Sequence, residues 1–80
     1  EFTLILYVND VVGTLATVLH TISQLQLSVL TIHQSVPINE EATITLSLNA
    51  QYTELTIDEV ILALRSIDHV FKVDLISMSM

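Results

Sequence analysis

The chain contains no cysteine, one glycine, one proline and two basic residues, Arg65 and Lys72. The missing thiol removes disulfides, thiolate nucleophiles and cysteine-ligated metals together. Against the two basic residues stand nine acidic ones, for a net charge of -7. That field repels phosphate backbones and anionic headgroups, so neither nucleic acid nor a membrane is expected as a partner. No apolar run approaches the roughly 18 residues of a membrane span, and no basic-then-apolar leader opens the sequence, so a cytoplasmic protein is expected. The first residue is Glu1 rather than Met. A single domain, residues 1–80, cut from a longer chain, is the expectation.

What is present is apolar: 51% of residues are hydrophobic and 14% charged, against roughly 25% charged in an average soluble domain. Part of that excess is expected to face a partner. Residues 2–8, FTLILYV, alternate with Phe2, Leu4, Leu6 and Val8 on one face, the period of a strand. From Thr14 the period changes, and Leu15, Val18, Leu19, Ile22 and Leu25 follow the spacing of an amphipathic helix. Leu27 to Val36 reads as a second strand ended by Pro37, and Ala42 to Asn49 as a third with Ile44, Leu46 and Leu48 inward. Thr56 and Glu59 form a capping-box start to a second helix, striped by Ile57, Val60, Ile61, Leu64 and Ile67. Val70 to Ser77 closes as a fourth strand. The two helical stripes superimpose with an offset of 42 residues, the pattern of a duplicated strand-helix-strand unit.

The order βαββαβ with right-handed crossovers predicts a ferredoxin-like α+β sandwich. Its four-stranded antiparallel sheet carries both helices on one face, with the first and third strands central. Of the two edges, the fourth strand bears Lys72 and Asp74, whereas Leu27 to Val36 carries no fixed charge. Long uncharged edges invite pairing with another chain. A homodimer with second strands side by side is therefore expected.

The only glycine lies in "NDVVGTL", Asn9 to Leu15, between a central strand and the first helix. Amides at a helix start favour an anion such as a carboxylate, and Gly13 permits close approach. Asp10 suits an ammonium, so the loop has the groups to recognise both ends of a free amino acid. The alternative is structural: Asp10 or Thr14 caps the helix and Gly13 makes a tight turn. The histidines offer no metal site, since His20 falls on a helix, His33 on a strand and His69 in a connection, without ligand spacing. His20 is expected on a flank, His33 outward or at a dimer contact, and His69 in solvent. Glu40, Glu41, Glu54, Asp58 and Glu59 sit in turns or a first helical turn, where solvation and the helix dipole account for them. The third strand, ATITLSLN, presents Thr43, Thr45 and Ser47 outward and offers no stacking platform for RNA bases. No catalytic residue and no cofactor is expected.

The loop resembles the ACT-domain signature, here Asp10, Gly13 and Leu15. "SVLTIHQSVP" (28–37), "ATITLSL" and "VFKVDLISMSM" are similar to the C-terminal ACT domain of bacterial phenylalanine-biosynthesis or chorismate-mutase-like proteins, over essentially all 80 residues. The resemblance implies a regulatory module that binds a small ligand, usually an amino acid, between subunits. Asp10, Gly13, Thr14 and Leu15 match the family's loop, with Asn9, Val11 and Val12 beside them, and Ser28, Val29 and Leu30 match its strand-two contribution. Where the family commonly has a basic residue then Pro or Ser before the glycine, this chain has Val11 and Val12. Phenylalanine is the first candidate ligand. Homoserine dehydrogenases also end in similar domains, so either a mutase or such an enzyme is an alternative parent. A self-contained mutase would need cationic groups for a dicarboxylate, and only Arg65 and Lys72 are offered. A dimerising module that binds no ligand is the remaining alternative.

Overall fold

The computed structural model describes residues 1–78. β1 (Phe2–Asn9), α1 (Val11–Gln24), β2 (Ser28–Gln34), β3 (Glu41–Asn49), α2 (Ile57–Arg65) and β4 (Val70–Met78) follow in the expected order. The sheet runs β2-β3-β1-β4 with every neighbouring pair antiparallel, which is the ferredoxin-like arrangement.

Alternation is what makes the sheet two-faced. Phe2, Leu4, Leu6 and Val8 of β1 lie directly opposite Leu48, Leu46, Ile44 and Ala42 of β3, and all eight are buried. Val18 and Ile22 of α1 and Val60 and Leu64 of α2 close over them. These four are the equivalent stripe positions of the two helices, so the duplicated pattern describes the core. The opposite face, with Thr3, Ile5 and Tyr7 against Ser47, Thr45 and Thr43, bears no helix. α2 begins as predicted: Thr56 Oγ1 accepts from the Glu59 amide at 3.2 Å while Glu59 Oε1 accepts from the Thr56 amide at 3.0 Å.

The structure corrects the first helix. It begins at Val11, three residues before the periodic stripe, because Thr14 N–H already donates to Asp10 O at 3.0 Å. Gly13 is consequently helical rather than part of a turn, and its φ is not positive. Leu19, expected inward, lies on the exposed flank, and Thr14 takes the inward place instead. A register sliding one residue from the leucine stripe to the 14-18-22 row explains both.

The edges also differ from expectation in one respect. β2 leaves Val29, Leu30 and Ile32 39%, 47% and 43% exposed. β4 has its Lys72 and Asp74, 3.6 Å apart, but Phe71, Leu75, Ile76 and Met78 are exposed beside them, so charge protects this edge less than the sequence implied. No helix among the described residues is long and apolar enough to cross a membrane.

Candidate functional site

β1 ends at Asn9, directly opposite Glu41 at the start of β3, and the chain turns into α1 at once. Asp10 accomplishes that turn in the left-handed region (φ 48°, ψ 58°). It stands at the N-cap, yet its side chain caps no amide. Instead its Oδ2 lies over the first turn, 3.3 Å from where a β-carbon on Gly13 would be. What passes close to the glycine is therefore the chain's own carboxylate, which is electrostatically placed for the helix N-terminus.

Thr14 does not cap the helix either, but its role is structural. Thr14 is buried, and its hydroxyl donates to Asn9 O at 2.7 Å, tying the end of β1 to the helix. With Thr14 N–H already bonded, the amides that precede the first intrahelical bond are those of Val11, Val12 and Gly13. The donors expected at the helix start therefore precede Thr14 and include Gly13 as the last of the three. Leu15 is half-buried and packs against the core.

Two segments remote in sequence complete the surroundings. His69, also left-handed at φ 73°, precedes β4, and its carbonyl accepts from the Asn9 amide at 3.0 Å. Its Nδ1 donates to Asn9 Oδ1 at 2.9 Å, and its Nε2 stands 4.0 Å from Asp10 Oδ2. Solvent was the sequence expectation for His69. It is indeed exposed, but it is also the brace of the β1–α1 junction. The second segment is a two-residue hairpin turn in which Ile38 and Glu41 exchange both backbone bonds, at 2.9 and 3.0 Å, around Asn39 (φ 52°) and Glu40 (φ 66°). Two consecutive positive φ values define the primed turn that suits hairpin twist. Asn tolerates the first position. Glu40 occupies the second at a cost of about 1 kcal/mol.

Together these segments wall a cavity of about 560 Å³, lined by Asn9 to Val12, Pro37, Asn39, Glu40, Glu41 and His69. Four of the five left-handed non-glycine residues among those described line it. Strained backbone of this kind clusters at functional sites. Its charge is one-sided, with carboxylates from Asp10, Glu40 and Glu41 and no Lys or Arg in the lining.

The strand-two half of the expected site is elsewhere. Ser28 pairs with Asn49 and Val29 with Leu48, whereas Asn9 pairs with Glu41. From Glu41 to Asn49 is eight residues, or about 27 Å at 3.4 Å per residue. Within one protomer Ser28, Val29 and Leu30 therefore lie at the opposite end of the sheet from Asp10 and Gly13. His33 points outward opposite Thr45, on the face away from the helices. Among the described residues no group of three or more His, Asp or Glu is placed to hold a metal ion.

No family model matches the chain. Over all 80 residues it is 76% identical to the UPF0735 ACT domain-containing protein of Staphylococcus epidermidis, 74% to that of Staphylococcus haemolyticus and 68% to that of Staphylococcus aureus. Their names specify an ACT domain and no reaction. The chain spans about half the length of these curated relatives, 53% in each case. Among solved structures, the ACT domain from GTP pyrophosphokinase of Chlorobium tepidum superimposes with a TM-score of 0.74 at 18% identity, covering 94% of this chain and 95% of that one. The chain has the fold of an ACT domain. The C-terminal domain of the MgtC protein from Mycobacterium tuberculosis shares this ACT-like architecture, with a TM-score of 0.71 at 12% identity over 96% of this chain and 85% of that one. In the ACT fold of this chain the loop matched by the signature is the β1–α1 junction, and the matched strand is the open edge β2.

Proposed function

We propose that this ACT domain is a regulatory, non-catalytic module that dimerises through β2 and binds a small ligand at the junction, an amino acid being the first class and phenylalanine the first candidate. The observation that carries the reading is the separation of the two half-sites in one protomer. Antiparallel pairing of two β2 strands about a two-fold axis would set Ser28 of one copy across from Gln34 of the other. Gln34 pairs with Ile44, close to Glu41 and hence to the β1–α1 junction. A second copy is what would bring strand-two residues to the turn of α1.

In this reading the ligand's ammonium meets Asp10, its carboxylate the amides of Val11, Val12 and Gly13, and its side chain the apolar surface of Val11, Val12, Val29 and Leu30. Occupancy at a shared junction would couple ligand to subunit geometry. The parent protein would use that coupling, with amino-acid biosynthesis as the expected setting. Catalysis by the domain itself is disfavoured by its cations: Arg65 ends α2 on the helical layer, whereas Lys72 is paired with Tyr7 on the opposite face of the sheet.

A second reading, dimerisation without a ligand, is favoured by the Asp10 carboxylate, which already occupies the place over the helix start that a ligand carboxylate would take. Thermal unfolding with each of the twenty amino acids separates the two. A ligand at 100 times its dissociation constant adds about 2.7 kcal/mol. Stabilisation by phenylalanine supports the sensor, and no shift with any of the twenty supports the dimeriser.

A further inference from the structure

On the helix-free face of the sheet a second cavity, of about 450 Å³, opens beneath the β2–β3 connection. Its walls come from four places in the chain: Tyr7 of β1, Thr43 and Glu41 of β3, Val36 and Ile38 of the connection, and Phe71 of β4. Val36, Ile38 and Phe71 are 81%, 72% and 56% exposed, and the Tyr7 and Phe71 rings lie 6.3 Å apart at a tilt of 44°. The volume falls in the range of small-molecule sites, roughly 300–1,000 Å³, and the apolar and aromatic walls are joined by Ser35, Asn39, Thr43 and Glu41 as polar groups. The one ionisable acid in the lining is Glu41, which also lines the neighbouring acidic cavity with Asp10 and Glu40.

We infer that this cavity binds an organic monoamine, with its apolar or aryl body against Tyr7, Phe71 and Ile38 and its ammonium held by Glu41. Charge complementarity decides the class. The protein carries -7 overall, and carboxylates dominate this end of the sheet, so an anionic head of the same shape is repelled. The Tyr7 face is already taken by the Lys72 ammonium, 5.1 Å from the ring centroid and itself 3.6 Å from Asp74 Oδ2, so the ligand's cation is assigned to Glu41 and not to the ring. A ligand ammonium at Glu41 would be charge-assisted, which a neutral side chain cannot reproduce. The whole lining comes from one chain, so the site needs no second copy, although Asn39 and Glu41 also line the junction cavity.

The test is heteronuclear NMR of the protein titrated with phenethylamine, and separately with 3-phenylpropanoate, at pH 7. Phenethylammonium should shift resonances of Tyr7, Ile38 and Phe71, with one molecule bound per chain and the same affinity at any protein concentration. 3-Phenylpropanoate should leave them in place. Glu41→Gln should weaken the amine about tenfold, and its spectrum reports directly whether the fold survives. Phe71→Ala, at an exposed position, gives a second variant with the same expected loss. Equal binding of amine and carboxylate, no shifts with either, or undiminished amine binding by a folded Glu41→Gln protein would each overturn the inference.

Discussion

Gly13→Ala is predicted to stabilise the protein. Gly13 is the third residue of α1, has no positive φ and is exposed, so the backbone places no demand on glycine. Alanine is favoured over glycine by up to about 1 kcal/mol in a helix, chiefly because it restricts the unfolded chain, a gain of about 0.4–1 kcal/mol. Against this stands one close approach, the new β-carbon at 3.3 Å from Asp10 Oδ2. That atom ends an exposed side chain with no capping bond to lose, so a shift of a few tenths of an ångström relieves it. The expected net gain is about 0.5–1 kcal/mol, or roughly 2–8 °C in Tm for a domain of this size. Calorimetry reads it directly. A lower Tm with the helix intact would refute the reasoning, because it would mean that the position requires a missing side chain. A second readout bears on function: if a ligand carboxylate reaches the Val11 to Gly13 amides, the same variant loses ligand-dependent stabilisation while gaining intrinsic stability.

Thr56→Ala should cost about 1 kcal/mol in chemical denaturation, since it removes the hydroxyl that accepts from the Glu59 amide while the Thr56 backbone N–H keeps Glu59 Oε1; a change below a few tenths would contradict the cap. The backbone and side-chain hydrogen bonds from Thr56 hold the Glu59 carboxyl below the usual glutamate range. Its contribution is therefore present above the ordinary glutamate pKa and lost as pH falls through the depressed one. Acid unfolding followed by circular dichroism should show a smaller low-pH loss for Glu59→Gln than for the parent, and identical profiles would dismiss the coupling. Ile32→Lys places a charge on the open edge of β2, where 43% exposure leaves room for it; sedimentation should find a folded monomer, and an undisturbed dimer would move the interface elsewhere.

Periodicity made most of the fold legible. Phe2, Leu4, Leu6 and Val8 alternate cleanly enough that their burial follows from the pattern alone, and the Thr56–Glu59 spacing places the start of α2 to the residue. The start of the first helix is less legible because Val11 and Val12 are β-branched and precede the stripe, so nothing apolar at helical spacing marks the first turn. What begins the helix is Asp10 in a left-handed conformation, and no pattern announces that. The site divides in the same way. The Asp10 to Leu15 segment is visible as a motif, but His69, Pro37 and the Asn39–Glu40 turn reach it only through tertiary placement. Pairing β1 antiparallel to β3 would have put Asn9 beside Glu41, a signal available in the topology. The brace between His69 and Asn9 spans 60 positions and leaves no local trace.

In the proposed assembly two open β2 edges meet and complete a site that one protomer splits between the ends of its sheet. Sedimentation equilibrium across a wide range of protein concentration measures this most directly. The predicted result is a reversible dimer of twice the 8.9 kDa chain, tightened by phenylalanine. A single-chain mass at every concentration, with and without phenylalanine, would contradict it.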